Sequence, residues 1–192
     1  MALKLCIGPM SKLVVDAVLE LDEKERNTIA FIPSRRQVEF SGGYVCNWTT
    51  KQFSDYVDKK VKIQRDHGGP GQGNDDDDGY ESFEEDARCL DLIHVDPWKK
   101  YQNYDDGLNH TIESIKHIYN LNPDIQFEVG TEESIRRFET EEFGKLLQDL
   151  KDNLDVEVFK AIKYGVVQSG VGLDLLNMKN TGEFSAKRLE EM

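Results

Sequence analysis

Asp66 and His67, in the run Arg65-Asp66-His67-Gly68-Gly69-Pro70, put a carboxylate beside an imidazole. Proton transfer and metal ligation are what these two groups do best. They follow a short strand-like run, Val61 to Gln64, and precede a loop rich in glycine and aspartate. A strand that delivers such a pair to the mouth of a loop is a common way to build an active site. Neighbours in a regular strand point to opposite faces, so both reach one site only if the chain turns at Gly68-Gly69-Pro70. The alternative is an ordinary turn in which Asp66 caps backbone N–H groups.

Other polar groups recur at comparable places. His94 and Asp96 alternate with Val95, so both face one way, towards the interior or mouth, while Ile93 and Val95 face the helices. His94 is either a site residue or a satisfied core histidine. Glu128 lies within a strand and Glu132 just beyond it, where a glutamate can cap the following helix. Ser34, Gln37 and Gly42-Gly43-Tyr44 make a neutral hydrogen-bonding loop suited to a sugar or its phosphate. Gln168, followed by Ser169-Gly170, reads as a polar residue before a turn. Arg35-Arg36 can contact an anion, although solvated surface arginines are the default. Asp75 to Asp78 lack the alternating spacing of a calcium loop and read as a solvated acidic tip. His110 and His117 read as exposed helix residues, and Trp48 and Trp98 as packing residues.

The elements that carry these residues alternate strand and helix six times. Strands are expected at Leu3 to Ile7, Thr28 to Ile32, Val61 to Gln64, Leu92 to Val95, Ile125 to Val129 and Lys163 to Gln168. Helices are expected after Ser11 (apolar face Leu13, Val14, Ala17, Val18, Leu21) and from Thr49 or Thr50 to Lys59. Further helices are expected at Tyr80 to Leu90, Asp105 to Tyr119, near Thr140 to Leu150, and from Phe184 onward. The strands are short continuous apolar runs, which predicts a parallel sheet buried on both faces. Polar residues gather after nearly every strand, which favours a (β/α)8 TIM-type barrel over an open doubly wound sheet. No GxGxxG follows the first strand, and no phosphate-binding GxxxxGK[ST] occurs. Such a barrel typically needs about 250 residues. The 192 residues supply about six units, so one partial barrel domain is expected, with two units lacking.

Five stretches in order, "IPSRRQVEFSGGY", "RDHGGP", "IHVD", "VGTE" and "VVQSGV", each at a strand end, resemble the non-catalytic subunit of class II tagatose-1,6-bisphosphate aldolase. The resemblance spans about Cys6 to Gly172. It implies a (β/α)8 protein of carbohydrate metabolism that supports a separate catalytic aldolase subunit and holds a sugar phosphate. By the same resemblance, class II aldolases use a divalent metal, zinc foremost, to stabilise an enolate. Asp66 would then be the acid/base group, and His67, Glu128 and His94 the metal ligands. Ser34, Gln37, Gly43, Tyr44, Asp96, Glu132 and Gln168 would line the sugar-phosphate pocket. Gln168 stands where a histidine ligand is expected in the metal enzymes. Two roles follow: support of a catalytic partner, or independent metal-dependent aldolase or epimerase chemistry through Asp66, His67 and Glu128.

Bulk properties narrow the partners. Net charge is −13, from 24 Lys+Arg against 37 Asp+Glu, which opposes nonspecific binding to nucleic acid or anionic membrane. Three widely spaced cysteines without a CxxC fit reduced thiols and a cytoplasmic setting. The sequence has no apolar run near the roughly 20 residues of a membrane span. Exposed edges of a partial parallel sheet predict self-association or instability of the isolated chain.

Overall fold

Six of the apolar runs become one parallel sheet, with its strands side by side in chain order. The computed structural model describes residues 4–131, 138–167, 171–174, 176–180 and 182–191. β1 (Leu5–Ile7) leads into α1 (Lys12–Leu19) and the single turn α2 (Glu23–Arg26). β2 (Ile29–Phe31) precedes α3 (Thr50–Val57), and β3 (Lys62–Gly68) precedes α4 (Tyr80–Cys89). β4 (Leu92–Val95) precedes α5 (Tyr104–Leu121), and β5 (Gln126–Thr131) precedes α6 (Thr140–Asn153) and α7 (Val156–Lys160). After β6 (Ile162–Val167) come a small antiparallel hairpin, β7 (Leu173–Asp174) with β8 (Lys179–Asn180), and α8 (Ala186–Glu191).

The sheet curls. Leu5 and Cys6 of β1 line the same cavity as Tyr164 and Val166 of β6, so the outer strands face each other across a trough. The helices cover the convex side. There Phe83, Ile93, Ile115, Phe127, Phe138 and Leu146 form one buried cluster, and Val15, Phe31, Phe53, Val57 and Ile63 form a second. The α/β half-barrel agrees with the expected alternation. Burial of both strand faces holds only in the middle: β4 is buried throughout, but Leu5 is 54% and Tyr164 44% exposed. These two lie on the edge strands of the described sheet, where the trough is open.

The helix expected to open at Thr49 or Thr50 does so, and local side-chain bonds hold the helix starts. Thr49 and Gln52 form a reciprocal capping box at the start of α3. Asn103 caps α5 by accepting from the N–H groups of Asp105 and Asp106. Ile112, Ile115 and Ile118 form its buried stripe. In α1, by contrast, Val15 and Val18 are buried while Leu13 is 78% exposed, so the helix is rotated from the expected face. Ser11 occupies the N-cap with no side-chain hydrogen bond. His110 and His117 are half-buried against the Tyr80 ring rather than exposed, and burial pushes His110 below its ordinary pKa.

Two arginines knit the loops to the sheet. Arg65 is fully buried in a two-bond pair with Asp86, at 2.8 and 2.7 Å. It also donates to the carbonyls of Pro33 and Val38 and to Thr50 Oγ1. Arg35, expected at the surface, is 2% exposed: its Nε meets Glu39 at 2.5 Å, and its two terminal nitrogens grip Asp77 at 2.9 and 2.6 Å. Asp77 therefore latches the Gly/Asp loop, and Lys100 adds a bond to Asp76 at 2.9 Å. The acidic tip is thus partly structural, because Arg35 is a buried cation that needs a counter-charge.

This latch has a pH dependence with a definite sign. The Arg35 hydrogen bonds hold Asp77 below its usual value of 3.8. A depressed folded value means that the stabilisation is whole above the unfolded value and is lost as pH falls through the folded one. Hydrogen exchange across Gly69–Gly79, corrected for intrinsic rates, should show protection at neutral pH that fades as pH falls below the ordinary carboxylate value of 3.8. Asp77→Asn should lack that protection at both pH values; equal protection in the variant would rule the latch out.

Candidate functional site

Asp66 and His67 do reach one side of the sheet, but not by the turn expected at Gly68. β3 continues through Gly68, and the register slips between Arg65 and Gly68 against β4. One extra residue is inserted there, and His67 takes a left-handed φ of 45°. A bulge of this kind re-aims side chains beside active sites. Gly68 and Gly69 are required by crowding: a Cβ on Gly68 would lie 2.8 Å from the His94 carbonyl oxygen, and Gly69 has φ 120°.

His94 lies on β4 in register with Glu128 on β5, and both line the trough. His94 is 1% exposed, and its Nε2 lies 2.9 Å from the Gly130 carbonyl oxygen. A carbonyl only accepts, so Nε2 carries the proton and Nδ1 keeps its lone pair. Nδ1 is 4.0 Å from Glu128 Oε2, and Gln64 Nε2 hydrogen-bonds the same carboxylate oxygen. His67 Nδ1 lies 2.6 Å from Asp96 Oδ2, while its Nε2 is 3.9 Å from Asp66 Oδ1. By the same logic the Asp96 carboxylate holds the proton on Nδ1 and leaves Nε2 as the donor atom. The two imidazole rings are 5.2 Å apart.

One ligand-capable atom from each of His67, His94 and Asp96 lies within 4.8 Å of the others, the one such group found among the described residues. Two imidazoles with carboxylates are a donor set suited to zinc and similar divalent ions. Each tautomer is set by an acceptor behind the ring, which is how metal-ligating histidines are usually oriented. The residues present fit a divalent cation on chemical grounds.

The remaining candidates divide clearly. Asp96 is fully buried behind His67, where it also accepts from Thr131 Oγ1 at 3.2 Å and the Trp98 N–H at 3.3 Å. That places it as a support for the imidazole instead of on the trough surface. Ser34 bridges to Asp66 in parallel, next to the cluster. Gln37 is 7% exposed and uses its amide on the Ser34 N–H and on Met10 Sδ. Tyr44 is 59% exposed, with its hydroxyl 3.4 Å from the same sulfur. Gly43 is packed so that a Cβ would lie 2.1 Å from the Gln37 carbonyl oxygen, which makes it a structural position. Glu132 and Gln168 lie outside the described residues. Trp98 is fully buried against Phe138, as a packing residue.

Sequence reasoning missed Gln64, Cys6 and Tyr164, which share the cavity of about 350 Å³ with Asp66, His94 and Glu128. Gln64 was findable, since it stands two residues before Asp66 on the same strand face. Cys6 and Tyr164 join only because the sheet curls. Burial, and secondly Glu128, push the Cys6 thiol up, so it is a neutral group rather than a thiolate. No protein-family model matches the chain, and no curated protein matches it.

Proposed function

We propose that the chain is a partial (β/α)8 barrel of the class II aldolase type, which binds a divalent cation and acts on a sugar phosphate as a carbon–carbon lyase. The observation that supports this most is the pair of imidazoles of His67 and His94, the first held by the Asp96 carboxylate behind it, with Asp66 and Glu128 beside them on the trough side of adjacent strands. A bound cation supplies positive charge beside the oxygen of the developing enolate. Asp96 holds the His67 ring with Nε2 as its lone-pair atom, and Gly130 holds His94 with Nδ1 as its own. Asp66 is half-exposed at the trough. It takes the proton from the substrate hydroxyl, the adjacent C–C bond breaks to leave a carbonyl and an enolate, and Asp66 returns the proton to the enolate carbon. Gln64 fixes the Glu128 carboxylate by hydrogen bonding.

A second role is favoured by the open trough. Leu5 and Tyr164 are exposed on the two edge strands, as befits a chain that completes its wall against a catalytic aldolase subunit or a second copy.

The test is metal content together with cleavage of a ketohexose 1,6-bisphosphate. One divalent ion per chain is expected, lost in His67→Ala. Asp66→Asn should keep the ion and lower cleavage by about a hundredfold or more. Full activity in metal-stripped protein would rule out the lyase. Metal binding with no cleavage, and stimulation of a separate aldolase, would select the supporting role.

A further inference from the structure

A second cavity opens on the trough at the opposite, N-terminal end of the strands, with a volume of about 330 Å³. Its lining reverses the charge of the chain. Arg26, Lys59, Lys60 and Lys62 border it, against Asp91 as the one lining acid among the described residues. Asp91 is already engaged, accepting from the Ile63 N–H at 2.8 Å. The whole chain carries a net −13, so a net positive hollow is a local feature and not a reflection of composition.

Its walls are held in place. Arg26 donates from Nη1 to the carbonyl oxygens of Leu19 (3.1 Å) and Leu21, which fixes the guanidinium, and its buried Nε has no acceptor among the described residues. Asp58 and Lys59 are consecutive non-glycine residues in the left-handed region, at φ 54° and 58°. Backbone strain of this kind persists where the surroundings over-determine it and recurs at ligand clamps. It turns the α3–β3 connection so that Lys59, Lys60 and Lys62 all border the hollow. Lys60 is 3.7 Å from Asp58; Lys59 and Lys62 make no ion pair among the described residues. Gln64 and Tyr164 border both this cavity and the one at His94, so the two are ends of one trough.

We propose that this end of the trough is a phosphate-binding site, which takes a phosphorylated small molecule by its anionic group. Lys62 is four residues from Asp66 along β3, about 13 Å. The site is therefore distinct from the His67–His94 group and does not depend on how that group is used.

The test is calorimetric titration of the full chain with inorganic phosphate and with pyrophosphate, at constant ionic strength kept with sodium chloride. Saturable binding is expected, tighter for pyrophosphate, and weakened by about tenfold or more in Lys59→Glu/Lys62→Glu. Lys62→Gln, which keeps the size of the side chain, should weaken it by a smaller factor. Lys187→Glu, on α8, and His67→Ala should leave it unchanged. Three results would overturn the proposal: no saturable binding by the unaltered chain, equal binding in the lysine variants, or loss in His67→Ala alone, which would place the anion at the other end.

Discussion

Arg65→Ala is expected to lower the unfolding free energy by about 3–5 kcal/mol, because it strands the fully buried Asp86 carboxylate without its counter-ion. The guanidinium makes five polar contacts, to Asp86, Pro33, Val38 and Thr50. It ties β3 to α4, to the start of α3 and to the loop after β2, so its loss leaves several buried acceptors unmet at once. Urea unfolding followed by circular dichroism gives the number directly. Arg65→Met/Asp86→Leu should recover the part that comes from uncompensated charge and leave the part that comes from the orphaned carbonyls. A loss below about 1 kcal/mol would mean that water reaches the pair, as at a surface ion pair.

Asp96→Asn is expected to weaken divalent-cation affinity by about 10- to 100-fold with little change in fold. The single amide oxygen can take the place of Oδ2 and still accept from His67 Nδ1. The amide nitrogen replaces Oδ1 and gives up the 3.3 Å bond from the Trp98 N–H, so the shape of the buried site is kept at the loss of one long hydrogen bond. What is lost is the negative charge that favours the Nδ1–H tautomer and raises the basicity of Nε2. Affinity is read by competition with a chromophoric chelator, and stability by thermal melting of the metal-free protein. A change in melting without a change in affinity would make Asp96 a purely structural acid. His94→Gln should cost more affinity than Asp96→Asn, since it removes the Nδ1 lone pair itself and not only a group that orients a ring.

The site was legible in proportion to how local its signals are. Asp66, His67 and His94 stand out because a strand run ends beside each, and Glu128 because it lies inside one. His94 and Asp96 were separable from Ile93 and Val95 by alternation alone, and the apolar pair is indeed buried against the helices. The role of Asp96 was not legible. An acid two residues from a histidine looks like a substrate contact until tertiary packing buries it. Arg35 misled for the same reason: Arg35-Arg36 reads as surface charge, but Glu39 and Asp77 converge on the first of the pair.

The sequence alone determined the alternation of strands and helices, the parallel sheet, and the helix start at Thr49. These follow from periodicity and side-chain-to-backbone bonds within a few residues, which the chain carries wherever it folds. Tertiary structure decided the rest. The bulge at His67 exists only because β3 must pair with β4 on one side and pass the Ser34 bridge on the other. The trough exists only because six twisted strands curl until β1 and β6 border one cavity, which brings Cys6, Gln64 and Tyr164 to a site none of them announces. Contacts between residues this far apart depend on the summed twist and register of every strand between them, and no local stretch of sequence encodes that sum.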